Sequence, residues 1–264
     1  MDISSRKNSA VLRYRSLNRD RKEREEAGEF NIEGAKLCYE AVSCGMKITA
    51  AFITESAIEK YPEVFAALRE KINPFVITED ISEYISDTKS PQGIFVTAEM
   101  IDKSKNADKI DSGRYVILDG LQDSGNIGTI LRTADALGMD GVILSPDCCD
   151  VYSPKTVRSA MGSLFRVPFV RAVLPEAIEK LKSKGFKIYA AMLDEKAESL
   201  SDTVFPEKTA VVIGNEGNGV SAETAAAAEN RLYIPIQNAE SLNAAVACSI
   251  ICWEIKRQTT ERIG

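Results

Sequence analysis

The chain has 264 residues, 44% hydrophobic and 27% charged, a composition that excludes disordered and collagenous classes and fits an ordinary globular protein. Its formal charge of −6 excludes a protein that coats nucleic acid indiscriminately, because such binding rests on neutralising phosphates with Lys and Arg. There is no histidine, so hydrolases built on imidazole, H-E-x-x-H metal sites and every imidazole base are excluded as well.

Residues 1–22 concentrate Arg6, Lys7, Arg13, Arg15, Arg19, Arg21 and Lys22 against only Asp2 and Asp20. A block of like charge is either a solvated tail or a nucleic-acid-binding arm, and both readings stand at this point. The opening MDISSRKNSAVLRYR lacks the apolar stretch of a secretory signal, and no apolar run approaches the roughly 20 residues of a membrane span. A cytoplasmic chain with no membrane partner is expected. Cys38, Cys44, Cys148, Cys149, Cys248 and Cys252 form no C-x-x-C pair, so free thiols are expected rather than a metal site or a disulfide framework.

Helical character over residues 32–44 and 57–72, with short apolar strands at 48–53, 75–77 and 93–98, predicts a small α/β domain spanning residues 1–108. The polar run 102–114 reads as a linker. In residues 109–264, β-rich runs recur at 115–118, 142–144, 167–170, 187–191, 210–213 and 232–236, mostly with helical segments between them. Such alternation predicts a largely parallel sheet with helices on both faces. Ligands bind outside the carboxyl ends of such strands, which makes the following loops the candidate sites.

Three of these loops carry unusual residues. In LDGLQDSGNIGTILRTADALG, residues 118–138, Asn126 can cap a helix whose apolar stripe is Ile127, Ile130, Leu131, Ala134 and Leu137, with Gly138 ending it. Arg132 projects roughly 160° from that stripe and so faces solvent, a partner or a site. In AVVIGNEGNGVS, residues 210–221, a strand enters a loop with Gly214, Gly217 and Gly219, whose spacing matches neither a dinucleotide fingerprint nor a P-loop. Glu216 within it is a ligand contact or a solvated turn residue. In YIPIQNAESLNAAVACSIICWEI, residues 233–255, a strand leads into a helix that is apolar almost all round, predicted to be buried in the core or between subunits. Ser241 and Asn243 stand at its start, as caps or as ligand contacts.

In this order the three segments resemble the motifs of the SpoU/TrmH family of SPOUT methyltransferases. N-x-G-x-x-x-R-x-A is matched by Asn126, Gly128, Arg132 and Ala134, and G-x-E-x-x-G by Gly214, Glu216 and Gly219. I-P-x…S-L-N-x-x-V-A is matched by Ile234, Pro235, Ser241, Leu242, Asn243, Val246 and Ala247. The segments FNIEGAKLCYE and SPQGIF are similar to a substrate-binding domain, related to small kink-turn-binding ribosomal proteins, that often precedes such methylases. The resemblance implies a C-terminal trefoil-knotted sheet, a homodimer that completes the site, RNA as partner, and S-adenosyl-L-methionine as cofactor. It implies cofactor contacts from Gly214, Asn215, Gly219, Ile234, Ile236 and Leu242, and catalytic roles for Asn126, Arg132, Glu216, Ser241 and Asn243. One departure is Gln237-Asn238-Ala239, where many relatives have a glycine. Asn tolerates a left-handed backbone better than other non-glycine residues, so Asn238 is expected to take that glycine's place.

The expected reaction is methylation of a ribose 2′-hydroxyl, with ribosomal RNA the preferred target over tRNA. Arginine stays protonated. The resemblance implies Arg132 as general base, a role at odds with that protonation. The preferred reading is that it grips the adjacent phosphate or developing alkoxide, with Glu216 or water taking the proton. The rivals are a non-catalytic RNA-binding protein on the same fold and a nucleotide-dependent enzyme of another doubly wound fold.

Overall fold

The computed structural model describes residues 2–101 and 110–261, which form two compact units. The expected linker lies, over residues 102–109, outside the described residues. The first unit holds residues 2–101 together with a later segment, Asp150–Phe165.

The first unit runs β1 (Asp2–Ile3), α1 (Ser9–Arg19), α2 (Arg21–Ala27), β2 (Glu29–Glu33), α3 (Ala35–Ser43) and β3 (Ile48–Thr54). It continues through α4 (Glu55–Lys60), α5 (Pro62–Arg69), β4 (Phe75–Ile77), α6 (Glu79–Ile85) and β5 (Ile94–Glu99). The five strands form one mixed sheet in the order β1-β4-β3-β5-β2. Residue 32 belongs to β2 rather than to the helix predicted over 32–44, because Gly34, at φ 100°, turns the chain before α3 starts. The helix predicted over 57–72 is two helices, since Pro62 opens α5 at its first turn and has no N–H to continue α4.

The basic N-terminal segment is not a tail. Asn8 caps α1 by accepting from the Ala10 N–H at 2.9 Å, and Val11, Tyr14 and Leu17 bury one face of the helix. The Tyr14 ring meets Phe52 and Phe95 edge-on, with centroids 5.6 and 5.7 Å away. Part of its charge is neutralised by carboxylates, Arg21 and Lys22 pairing one turn on with Glu25 and Glu26 and two others reaching further along the chain. Arg6 pairs with Asp80 and Arg13 with Glu29, and just beyond the segment the buried Arg24 pairs with Asp150 at 2.6 Å.

The second unit opens with β6 (Arg114–Leu118), α7 (Ser124–Leu137) and β7 (Gly141–Leu144). The chain then supplies the first unit with α8 (Pro154–Ala160) and most of α9 (Ser163–Arg166). There Phe30 packs on Tyr152 and Phe165, with centroids 4.7 and 6.5 Å away. Back in the second unit follow β8 (Phe169–Arg171), α10 (Leu174–Ser183), β9 (Lys187–Ala191), β10 (Glu198–Ser199) and β11 (Thr209–Ile213). The chain closes with α11 (Ala222–Ala228), β12 (Glu229–Tyr233) and α12 (Ala244–Glu261).

These strands form an all-parallel sheet in the order β10-β12-β9-β11-β6-β7-β8. Both faces are buried, as continuous apolar runs require. Ile117, Ile143, Ile188 and Val212 pack in one cluster with Ile178 and Leu181 of α10 and Ala225 of α11. Residues of the other parity, Val116, Leu118, Val211 and Ile213, are equally buried. α7 and α12 pack on each other and against β7 and β11 respectively.

Two expectations change here. The last strand lies three residues earlier than the predicted 232–236, leaving Ile234 and Ile236 outside the ladder. Helix α12 is not wholly buried, for Val246, Ile250 and Trp253 are 47%, 37% and 58% exposed along one face. Among the described residues no helix is long and apolar enough to cross a membrane.

Candidate active site

Strands β6, β7 and β8 step outward in chain order, whereas β11 is inserted between β9 and β6. That reversal places the loops after β6 and β11 side by side, at the kind of switch point where open parallel sheets bind ligands. A cleft of about 630 Å³ opens beside it, at the ends of β9, β11 and β12. It is lined by Gly214, Asn215, Gly219, Ile234, Ile236 and Leu242, and also by Glu216, Ser241 and Asn243. Ala191, Met192 and Leu193 line it too. The motifs do not reveal these three, although the switch-point rule applied to the end of β9 would have found them.

Close approach of two backbone segments shapes the floor. A Cβ on Gly214 would stand 2.1 Å from both the Gly219 carbonyl carbon and the Val220 nitrogen, far inside contact distance. Asn215 and Gly219 exchange backbone hydrogen bonds of 2.9 Å each, with Gly219 at φ 69°. The Asn215 side chain is spent within the protein, donating to the Gly120 carbonyl at 2.7 Å and accepting from the Gly217 and Asn218 N–H groups. Its offer to a ligand is therefore backbone. Ile234, Ile236 and Leu242 are half-buried and supply apolar walls. Pro235 has no N–H for a ladder, consistent with the strand ending at Tyr233. In the turn that follows, Asn238 adopts φ 61°, the left-handed conformation expected of a glycine substitute.

A polar network borders the cleft. Asp123, not Asn126, caps α7 by accepting from the Asn126 N–H at 2.9 Å. Asn126 thus sits inside the first turn with its side chain released from capping. It donates to Glu216 Oε1 at 2.8 Å and accepts from Asn243 Nδ2 at 3.0 Å. Asn243 also caps α12 by accepting from the Ala245 and Val246 N–H groups at 2.9 and 3.3 Å, so capping and site roles coexist. The Gln122 and Asp123 N–H groups each donate to Glu216 at 3.2 Å. Ser241 is exposed at the cleft and has no hydrogen-bond partner among the described residues.

Partial burial pushes the Glu216 carboxyl up, but hydrogen bonds from Asn126 and from the N–H groups of Glu216, Gln122 and Asp123 outweigh it and hold the carboxyl below its ordinary range. A depressed carboxyl adds stability above its unfolded value and loses it as pH falls through the folded one. Glu216 is therefore ionised throughout the neutral range, with its lone pairs occupied, and is a weak proton acceptor. A pH–rate profile from roughly pH 6 to 9 is expected to show no limb belonging to Glu216. A limb in that window that vanishes in Glu216→Gln would make it the base after all.

Arg132 and Asn126 do not line the cleft. Arg132 lies six residues along α7 from Asn126, about 9 Å further down the helix axis. Its side chain is exposed and has no hydrogen bond or ion pair among the described residues.

The lining contains Glu216 and Glu240 but no lysine or arginine. Carboxylates repel the phosphates of a nucleotide cofactor and suit a cationic one. The size, apolar walls and backbone-rich floor fit S-adenosyl-L-methionine, whose sulfonium is positive.

The sequence matches the profile of the SpoU rRNA Methylase family over residues 113–253, and that of the MRM3-like substrate binding domain over residues 8–96. It is 34% identical to the 23S rRNA (guanosine(2553)-2'-O)-methyltransferase RlmP of Bacillus subtilis, across 96% of this chain and 98% of that protein. It is 30% identical to the 23S rRNA (uridine(2479)-2'-O)-methyltransferase of Streptomyces viridochromogenes, across 97% and 92%. The crystal structure of an AdoMet-bound rRNA methyltransferase from Sinorhizobium meliloti superposes with a TM-score of 0.86 at 30% identity, covering 97% of each chain. With its switch-point cleft and its ordered motifs, the chain belongs to the SpoU rRNA methylase family.

Proposed function

We propose that this chain transfers a methyl group from S-adenosyl-L-methionine to a ribose 2′-hydroxyl of ribosomal RNA, acting as a homodimer in the cytoplasm. The observation that carries the proposal is the cleft itself. It gathers every motif residue assigned to the cofactor beside the hydrogen-bonded series Glu216, Asn126 and Asn243. The relatives named as 23S rRNA methyltransferases act on a guanosine in one case and a uridine in the other. Ribosomal RNA is the target class we infer, with the base left open.

The cofactor, when bound, supplies an electrophilic methyl group on sulfur. The protein must bring a ribose oxygen to it and accommodate the proton that leaves. Gly214, Gly219 and the 234–236 segment hold the cofactor through backbone and apolar surface. Asn126 and Asn243 are fixed by their mutual bond and by Glu216, which pre-orients the amides at no cost during reaction. Arg132 grips the phosphate beside the target ribose or the developing alkoxide, and water accepts the proton. Arg132 lies off the cleft of its own chain, which supports a site completed by a second copy. The family likeness further implies that the chain of this sheet is threaded into a trefoil knot.

Tritiated methyl from the cofactor, offered with ribosomal RNA and tRNA from a strain lacking this gene, is expected to enter ribosomal RNA. Label in tRNA alone would move the target, and label in neither would leave an RNA-binding protein. For the dimer, Val246, Ile250 and Trp253 form an apolar stripe that water-exposed helices rarely carry. Trp253→Glu should shift the sedimenting species from dimer to monomer, with loss of methyl transfer. A monomeric wild type would end the dimer reading.

A further inference from the structure

We propose that Arg171 and Gln122 form a buttress that positions the Glu216–Asn126–Asn243 series for reaction. The inference rests on the ribose-methylation reading above, and neither residue lines the cleft.

Arg171 ends β8, the edge strand of the parallel sheet. Its guanidinium forms no ion pair among the described residues. Instead it donates to four carbonyls of one loop: Ser145 at 3.2 Å, Pro146 at 3.3 Å, Cys148 at 3.0 Å and Cys149 at 2.7 Å. The rigid fork of arginine suits this task, because several fixed N–H vectors can serve carbonyls that converge on one plane. The loop so held then grips its neighbour. The Gly120 N–H donates to Ser145 Oγ at 2.8 Å, Gln122 Nε2 to the Asp147 carbonyl at 2.8 Å, and the Cys149 N–H to the Leu121 carbonyl at 2.9 Å. Gln122 Nε2 also spans back to the Gly120 carbonyl at 3.1 Å.

The second loop is the one whose Gln122 and Asp123 N–H groups hold Glu216. A continuous series of hydrogen bonds therefore runs from the sheet edge to Asn126 and Asn243. Arg171 is only partly buried, and of the loop residues it holds, Ser145 and Cys148 are buried while Pro146 and Cys149 reach solvent, so water can take over part of the guanidinium's bonds when it is removed. The loop then loosens rather than unfolds, and the loss appears in the geometry of the site. Arg171 and Gln122 are positioning residues, acting through the same two loops.

Steady-state kinetics of Arg171→Met, Gln122→Met and the double variant test this. Each single change should lower kcat about tenfold, with KM for RNA and Kd for S-adenosyl-L-methionine within about twofold. The double variant should also lose only about tenfold, because both changes release one support; independent effects would multiply to about 100-fold. Arg171→Lys should recover part of kcat, since an ammonium can still serve some of the carbonyls. Unchanged kcat, multiplicative losses, or a loss confined to Kd or KM would overturn the proposal. Hydrogen exchange of the Gln122 and Asp123 amides needs no activity and should accelerate about tenfold or more in Arg171→Met. Unaltered exchange would refute the buttress whatever the chemistry. Accelerated exchange in Arg171→Met, alongside a wild-type protein that transfers no methyl, would instead remove the methylation reading and leave the buttress standing.

Discussion

Replacing Arg132 with alanine is expected to lower kcat about 100- to 1,000-fold while Kd for S-adenosyl-L-methionine stays within about twofold. The asymmetry follows from position. Arg132 is exposed on α7, has no partner among the described residues and stands off the cleft, so the fold and the cofactor do not depend on it. What it has to offer is a permanent positive charge with a fork of donors, suited to a phosphate or an alkoxide. Such a group stabilises charge that grows in the transition state, and the loss should fall on kcat. Arg132→Lys keeps the charge without the fork and should retain an intermediate rate. Full activity in the alanine variant would remove Arg132 from the reaction. Loss of cofactor affinity in parallel with rate would mean that it supports the fold instead.

The second large effect is expected at Gly214. A methyl group there would meet the Gly219 carbonyl carbon and the Val220 nitrogen at 2.1 Å, and these are backbone atoms that no rotamer change can move aside. Gly214→Ala must therefore displace the 214–220 loop, which is the floor of the cleft. Overpacking of this kind costs about 1–3 kcal/mol or more, so cofactor affinity should fall up to about 100-fold. Gly217→Ala is the matched control. Its Cβ would meet only Asn215 Oδ1 at 3.5 Å, an ordinary contact, and affinity should stay within about threefold. Calorimetric titration of both variants decides the matter; equal affinities would show that the loop tolerates displacement.

The sheet of the second unit was legible because parallel strands buried on both faces must be continuous apolar runs, and 187–191 and 210–213 have no other use. The same logic failed at 232–236. Ile234 and Ile236 are apolar as walls of a cleft, a pattern that a sequence does not distinguish from strand. The cap of α7 is not legible, because Asp123, Ser124 and Asn126 are all capping residue types within four positions and only the three-dimensional course of the loop selects Asp123. The N-terminal helix was obscured by its charges. The partner of Arg13 in the helix, Glu29, lies 16 positions on, and that of Arg6 just before it, Asp80, lies 74 positions on, beyond any local pattern. The role of the Gln122 and Asp123 N–H groups was equally hidden, since backbone donors carry no residue-type signature.

The detour of Asp150–Phe165 into the first unit sets a timetable for synthesis. When residue 101 leaves the ribosome, Phe30 has neither Tyr152 nor Phe165 to cover it, and Arg24 lacks Asp150. At about 5–20 residues per second the missing cover arrives roughly 3–13 s later, after β6, α7 and β7 have already emerged. The nascent chain must carry an unfinished first unit while it begins the second. A gene cut between the two halves would make that interval permanent.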